Sequence, residues 1–379
     1  MLKIRGIDIY GINGIKDLKI LFNNGINIVC GKNGVGKTTI LECIVSGLKN
    51  KKTSKLAKNL KYEDSRYILY GESDYDEFYT ETYLDEENKR WYKSKISNEF
   101  LYFNISRSQT SAFHGSKLNT IQKWFGEIYD KQQLSIFEYD DLHTAIECFS
   151  RLDSRISFSR VAISPAYTDN KRMNPYYTKN NFKAEILVNT EDGELPLSSL
   201  SAGYLSCLSI FLEIIKKAKS IKLNKPIYEY DGLILIDEID LHLHPEWQKK
   251  ILEILRWMVP NAQIIATTHS PHIVQVAKAE EVITIKNTLG ICFSKQGHSN
   301  SEYGYQGWSI EEILEDVMGL KSTHSDLYNA LLKSIESDLD NLNITQASKN
   351  LDTLLLLLHP NNPIGKILSL QVASLESKL

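Results

Sequence analysis

A chain of 379 residues is longer than a single hydrophobic core usually supports, so one large or two to three smaller modules are expected. Hydrophobic residues make up 42% and charged residues 24%, a balance that excludes wholesale disorder. The net charge of -3 exerts no global pull on nucleic acid, and because binding depends on where basic residues cluster, DNA is neither implied nor excluded.

The N-terminal stretch alternates and carries charge, unlike a secretory signal, and the longest apolar run, Leu354 to Leu358, is far short of the ~20 residues that span a bilayer. Cys30, Cys43, Cys148, Cys207 and Cys292 are odd in number and scattered, with no CxxC pair for zinc or redox work. A soluble protein of a reducing cytoplasm, without a membrane partner, is expected.

In chain order, residues 2–30 read as short strands: an alternating segment through Tyr10, a turn at Gly11 to Gly14, a second segment at Lys19 to Phe22, and an apolar strand at Ile26 to Cys30. A glycine-rich loop follows, then a helix carried by Ile40, Leu41, Ile44, Val45 and Leu48. Six lysines crowd Lys49 to Lys61, a run that is more often a solvated face than a DNA contact. Tyr67 to Phe103 has the short alternating runs of antiparallel strands, Ser116 to Arg151 is helical with Ile121, Trp124 and Phe125 on one face, and residues 182–198 return to strand character. In the tail, Ser309 and Glu312 form a capping box ahead of Ile310, Ile313, Leu314, Val317 and Met318, with Gly319 as the stop. Helices follow through Leu327 to Leu339 and Leu351 to Leu358.

Four motifs carry chemistry. Gly31-Lys-Asn-Gly-Val-Gly36-Lys37-Thr38 matches GxxxxGK[ST] between a strand and a helix, the context in which backbone N–H groups wrap a phosphate. Asn33, Gly34, Gly36, Lys37, Thr38 and Thr39 are the expected ATP-binding set, with Lys37 reaching the β- and γ-phosphates and Thr38 offering its hydroxyl to Mg²⁺. Leu233 to Glu238 is a buried-strand run ending in two carboxylates: Asp237 for Mg²⁺ and Glu238 to orient and deprotonate the attacking water. Gln263 to Thr267 is another such run, leading to His269. The helix from Pro245 to Met258 fits one strand-helix-strand crossover, which would set His269 beside Glu238 and within reach of the γ-phosphate. Leu200-Ser201-Ala202-Gly203-Tyr204 opens a long apolar helix, alone no more than an ordinary cap.

In this order the motifs, including IDEIDLHLHP and TTHSP, resemble the ABC/SMC/RecF superfamily, and more narrowly the RecF-like ATPases of prokaryotic antiphage systems such as Septu (the PtuA type) and the ATPase half of OLD-family nucleases. The resemblance implies an α/β P-loop head of mixed sheet with antiparallel N-terminal strands, a helical lobe and a small C-terminal helical appendage. It divides the chain into a first ATPase lobe (1–112), a helical lobe ending in the signature helix (113–215), the second part of the ATPase lobe (216–300) and a partner-docking tail (301–379). It assigns Ser201 and Gly203 to the γ-phosphate of a second copy, so that ATP clamps a homodimer or higher oligomer, and Asp240 to His244 to the loop linking the two sites. Gln109 is the candidate for the family's loop glutamine, a metal-side residue. Tyr204 stands where many transporters have Glu or Gln.

No heptad arms, Toprim carboxylates or His-Asn-His set accompany the motifs, so any DNA cutting is expected from a separate nuclease or other effector. The alternative is a RecF-like DNA-repair scaffold that clamps DNA directly. A transporter motor fits DLHLHPEWQ poorly.

Overall fold

The computed structural model describes residues 2–49, 55–62, 64–73, 76–84, 90–92, 100–104, 111–165, 182–221, 225–288, 291–296 and 303–376. The chain divides into two compact units, Met1–Gly319 and Leu320–Leu379.

In the larger unit, β1 (Lys3–Ile12) and β2 (Ile15–Leu21) form a hairpin, β3 (Ile26–Gly31) leads into the glycine-rich loop, and α1 (Lys37–Lys49) follows it. Three strands, β4 (Arg66–Glu72), β5 (Glu77–Tyr83) and β6 (Arg90–Tyr92), complete an antiparallel sheet of order β2-β1-β4-β5-β6. The next strand, β7 (Phe100–Phe103), departs from the expected antiparallel run: it pairs parallel with the strand holding Leu233 to Ile236. Phe100, Leu101 and Phe103 are all buried, and burial of consecutive residues suits a parallel strand covered on both faces.

Helices α2 (Ser111–Tyr129) and α3 (Ile136–Leu152) come next, then an antiparallel trio of β8 (Ser157–Pro165), β9 (Phe182–Thr190) and β10 (Gly193–Pro196). Ile121 and Phe125 of α2 are buried as their helical spacing requires. The segment after β10 builds α4 (Ala202–Ser220), β11 (Leu233–Ile236), α5 (Pro245–Met258), β12 (Gln263–Thr267), α6 (Pro271–Val276), β13 (Val282–Thr288) and β14 (Ile291–Gln296). The central sheet runs β14-β13-β3-β12-β11-β7, parallel throughout except for the edge strand β14.

This order places β12 between the strand that enters the glycine-rich loop and the strand that ends in Asp237. Alternate residues feed two cores: Ile28, Cys30, Ile234, Ile236 and Ile264 on one face, Val29, Leu233, Leu235 and Ile265 on the other. Buried Gln263 ties the two sheets together, its Oε1 accepting from Ile4 N at 2.7 Å and its Nε2 donating to Ile4 O at 2.7 Å.

The tail expected to begin at residue 301 is partitioned. A short helix α7 (Ile310–Glu312) starts at the Ser309–Glu312 capping box and continues as a π turn, Ile313–Val317. Ile313 and Val317 are buried in the main core, so this segment belongs with the larger unit. The smaller unit is a three-helix cluster of α8 (Asp326–Asp340), α9 (Ile344–Leu357) and α10 (Pro363–Glu376), packed around Ile335, Leu351, Leu354 and Val372. The third helix was not visible in the sequence pattern, where Pro360 and Pro363 obscure its start. Among the described residues no helix is long and apolar enough to cross a membrane.

Candidate nucleotide site

The loop from Gly31 to Thr38 curls back on itself because Lys37 Nζ donates to two of its carbonyls, Gly31 O at 2.7 Å and Lys32 O at 2.9 Å. Gly36 adopts φ 100°, and a Cβ there would lie 2.6 Å from Ile15 in the β1–β2 hairpin; both facts demand glycine. Asn33 and Gly34 are exposed at the loop crest, while Thr38 and Thr39 occupy the first turn of α1. Asn13, at the hairpin tip, donates through Nδ2 to Thr39 Oγ1 at 3.0 Å, fastening the hairpin to that turn.

Thr38 Oγ1 lies 3.3 Å from Asp237 Oδ1 and donates to it. The same oxygen of the buried Asp237 carboxylate accepts from Thr267 Oγ1 at 2.6 Å, and that hydroxyl in turn accepts from Glu238 N at 2.8 Å. Glu238 sits at φ 48°, a left-handed conformation that a non-glycine residue adopts at a cost, and the Thr267 bond helps hold it there. Asp240 receives Thr268 Oγ1 at 2.7 Å and His269 N at 3.2 Å, so the carboxylate that begins the linking loop also shapes the histidine loop.

Burial lowers the Lys37 ammonium from its ordinary 10.5 to about 8, against the opposing pull of Asp240, Glu238 and Asp237. Burial also depresses His269, with the charge of Lys37 acting in the same direction. Lys37 therefore lies within electrostatic reach of Asp237, Glu238 and Asp240, and His269 within reach of Lys37, Asp237 and Asp240.

Ser201 and Gly203 have different neighbours. Ser201 caps α4, accepting from Tyr204 N at 3.3 Å, and its side is exposed. A Cβ on Gly203 would fall 2.8 Å from the Trp247 ring and 2.9 Å from His242 O, so this glycine permits close approach between α4 and the loop after Glu238. Tyr204 points inward: it is buried, its hydroxyl donates to Phe149 O at 3.1 Å, and it meets Trp247 edge-on. Gln109 lies outside the described residues. Thr267, Thr268, Asn13 and Gln248 also contact these loops, and sequence reasoning did not single them out. The polar Thr-Thr pair ending an otherwise apolar strand was the available signal for the first two.

A family profile described as "AAA domain, putative AbiEii toxin, Type IV TA system" matches residues 61–275. The fold is that of an SMC head: the structure of an SMC head bound to the C-terminal winged-helix domain of ScpA superposes with a TM-score of 0.53 at 16% identity, covering 77% of this chain and 97% of that one. The fold and the matched profile thus define an AAA-type ATPase domain of SMC-head architecture.

Septu protein PtuA of Bacillus thuringiensis is 35% identical over 98% of both chains. A second PtuA, from Bacillus mycoides (strain KBAB4), is 25% identical over 86% of this chain and 46% of its own length. A retron Vc95 probable ATPase of Vibrio cholerae serotype O1 biovar El Tor is 32% identical over 37% of this chain and 27% of its own. The chain belongs to the Septu PtuA family of antiphage-defence ATPases.

Proposed function

We propose that the chain binds and hydrolyses ATP at a site completed by a second copy, and that its nucleotide state controls a partner effector, a nuclease by preference. The observation that carries this reading is the chain of contacts Thr38–Asp237–Thr267–Glu238, with the Lys37 charge close enough to depress His269.

In this reading the N–H groups of the Gly31–Thr38 loop and the start of α1 bind the phosphates, and Lys37 exchanges its two carbonyl partners for β- and γ-phosphate oxygens. Thr38 and Asp237 present two hard oxygens that would hold Mg²⁺, which when bound would offset charge developing on the phosphates. Glu238 accepts the proton of the attacking water, and His269 donates a hydrogen bond to the γ-phosphate. Ser201 and Gly203 at the exposed start of α4 reach the γ-phosphate held by the second copy.

The smaller unit is the proposed docking element for the effector. Leu356 and Leu370 are 87% and 72% exposed, and a cleft of about 450 Å³ runs beside Leu355, Leu358 and Pro360.

Replacing Glu238 with Gln tests the chemistry. ATP binding should persist while turnover falls about 100-fold or more, since general-base assistance supplies roughly 10²–10⁴. Unchanged turnover removes Glu238 as the base. For the effector, coexpression with the neighbouring reading frames should yield a complex; a chain that purifies alone under every nucleotide condition defeats that part.

A further inference from the structure

The first turn of α5 touches two loops that the proposed site assigns to different nucleotides. Trp247 packs on the start of α4: its ring lies against Gly203 and meets Tyr204 with centroids 5.9 Å apart at 77°. The next residue, Gln248, grips the histidine loop. Its Oε1 accepts from Ser270 Oγ at 2.6 Å, and its Nε2 donates to Leu243 O at 2.8 Å, at the end of the linking loop.

Ser270 is itself the cap of α6, accepting from His272 N at 3.1 Å, and its own N–H donates to Thr268 Oγ1. Holding Ser270 therefore holds the residue before it, His269. Among the described residues Trp247 Nε1 is buried without a hydrogen-bond partner, so the indole is placed for its ring contact at the expense of its polar atom. His244 caps the same turn, accepting from Glu246 N, and stacks edge-on against Trp247.

We propose that Trp247 and Gln248 are positioning residues that fasten the signature loop and the histidine loop to one helical turn, so that the two loops move as a unit. This rests on the reading above, in which Ser201 and Gly203 serve the second copy's nucleotide while His269 serves the chain's own. Seating of the signature loop on one ATP then sets the histidine at the other. Gln248 acts through Ser270, and Trp247 through Gly203; neither touches the nucleotide.

The test is a double-substitution cycle in the full chain, with ATP affinity and kcat measured separately. Trp247→Ala and Gln248→Ala should each lower kcat about tenfold while changing the Kd for ATP by less than about twofold. The double variant should be no slower than either single one, because one linkage broken twice is still one linkage. Trp247→Phe, which keeps an aromatic ring in the contact, should retain kcat within about twofold. Circular dichroism and melting of Trp247→Ala and Gln248→Ala separate folding failure from lost positioning. Multiplying losses in the double variant, unchanged kcat in the singles, or a loss of ATP affinity matching the loss of kcat would each overturn the proposal. Inter-copy contact is read separately by ATP-dependent cross-linking between residues 32 and 202. If that cross-link forms while the cycle is additive, only the coupling falls; if it does not form, the composite site itself falls.

Discussion

Replacing Thr267 with Val removes one hydroxyl that makes two bonds, at nearly constant volume. The donation to Asp237 Oδ1 at 2.6 Å is a bond to a charged acceptor, worth about 1.5–3 kcal/mol, and the Glu238 N–H loses its 2.8 Å acceptor, a desolvation cost of about 1–3 kcal/mol. Together these give a loss of roughly 2.5–6 kcal/mol in the stability of the larger unit, read from guanidinium unfolding curves. Thr267→Ser keeps the hydroxyl and should recover most of the loss. A kinetic effect should accompany the energetic one. Glu238 sits at φ 48° with the Thr267 bond as one of its restraints, so releasing it should lower kcat more than it weakens ATP binding. A stability change below about 1 kcal/mol, or the same loss in Thr267→Ser, would refute the claim that this hydroxyl organises the two carboxylates.

Burial pushes the Lys37 ammonium of the folded chain down to about 8 from its ordinary 10.5, so between those values the unfolded chain binds more protons and stability rises with pH. ATP requires the charged form, so its affinity should fall as pH rises through about 8; isothermal titration at pH 8 in buffers of different ionisation enthalpy should show proton uptake on binding. A flat affinity from pH 7 to 9 contradicts this. Gly203→Ala gains about 1 kcal/mol of helix propensity but drives a methyl to 2.8 Å from Trp247 and 2.9 Å from the backbone of His242, an overpacking cost of about 1–3 kcal/mol. Net destabilisation in chemical unfolding is expected, and a more stable variant would show that the helix start is loosely packed.

Features encoded locally were legible in the sequence, and those arising from distant contacts were not. The phosphate loop, the strand ending in Asp237 and Glu238, and the helix from Pro245 to Met258 each announce themselves within a dozen residues through glycine spacing, continuous apolar runs and an N-terminal proline. The crossover length correctly set the His269 strand beside the Asp237 strand, where the register pairs Ile236 with Ala266. β7 misled, because four residues after a tyrosine-rich alternating run carry no mark of the sheet they join; the buried neighbour that claims them, β11, lies some 130 residues further along. Thr267, Gln248 and Trp247 were unreadable as contacts for the same reason: their partners belong to other elements. Tyr204 departs from the transporter pattern because its side chain is an internal packing residue, bonded to Phe149 O, and is turned away from the loop crest.

In the proposed function ATP joins the glycine-rich loop of one copy to the α4 start of another. Lys32 and Ala202 are both exposed, while Cys30, Cys43, Cys148 and Cys207 are buried. Cysteines placed at 32 and 202 in a Glu238→Gln background, treated with a short bismaleimide, provide the direct measurement. A covalent two-chain product should form with MgATP and be lost without nucleotide; an absent inter-chain product at saturating ATP, or equal yield in its absence, would contradict a site shared between two copies.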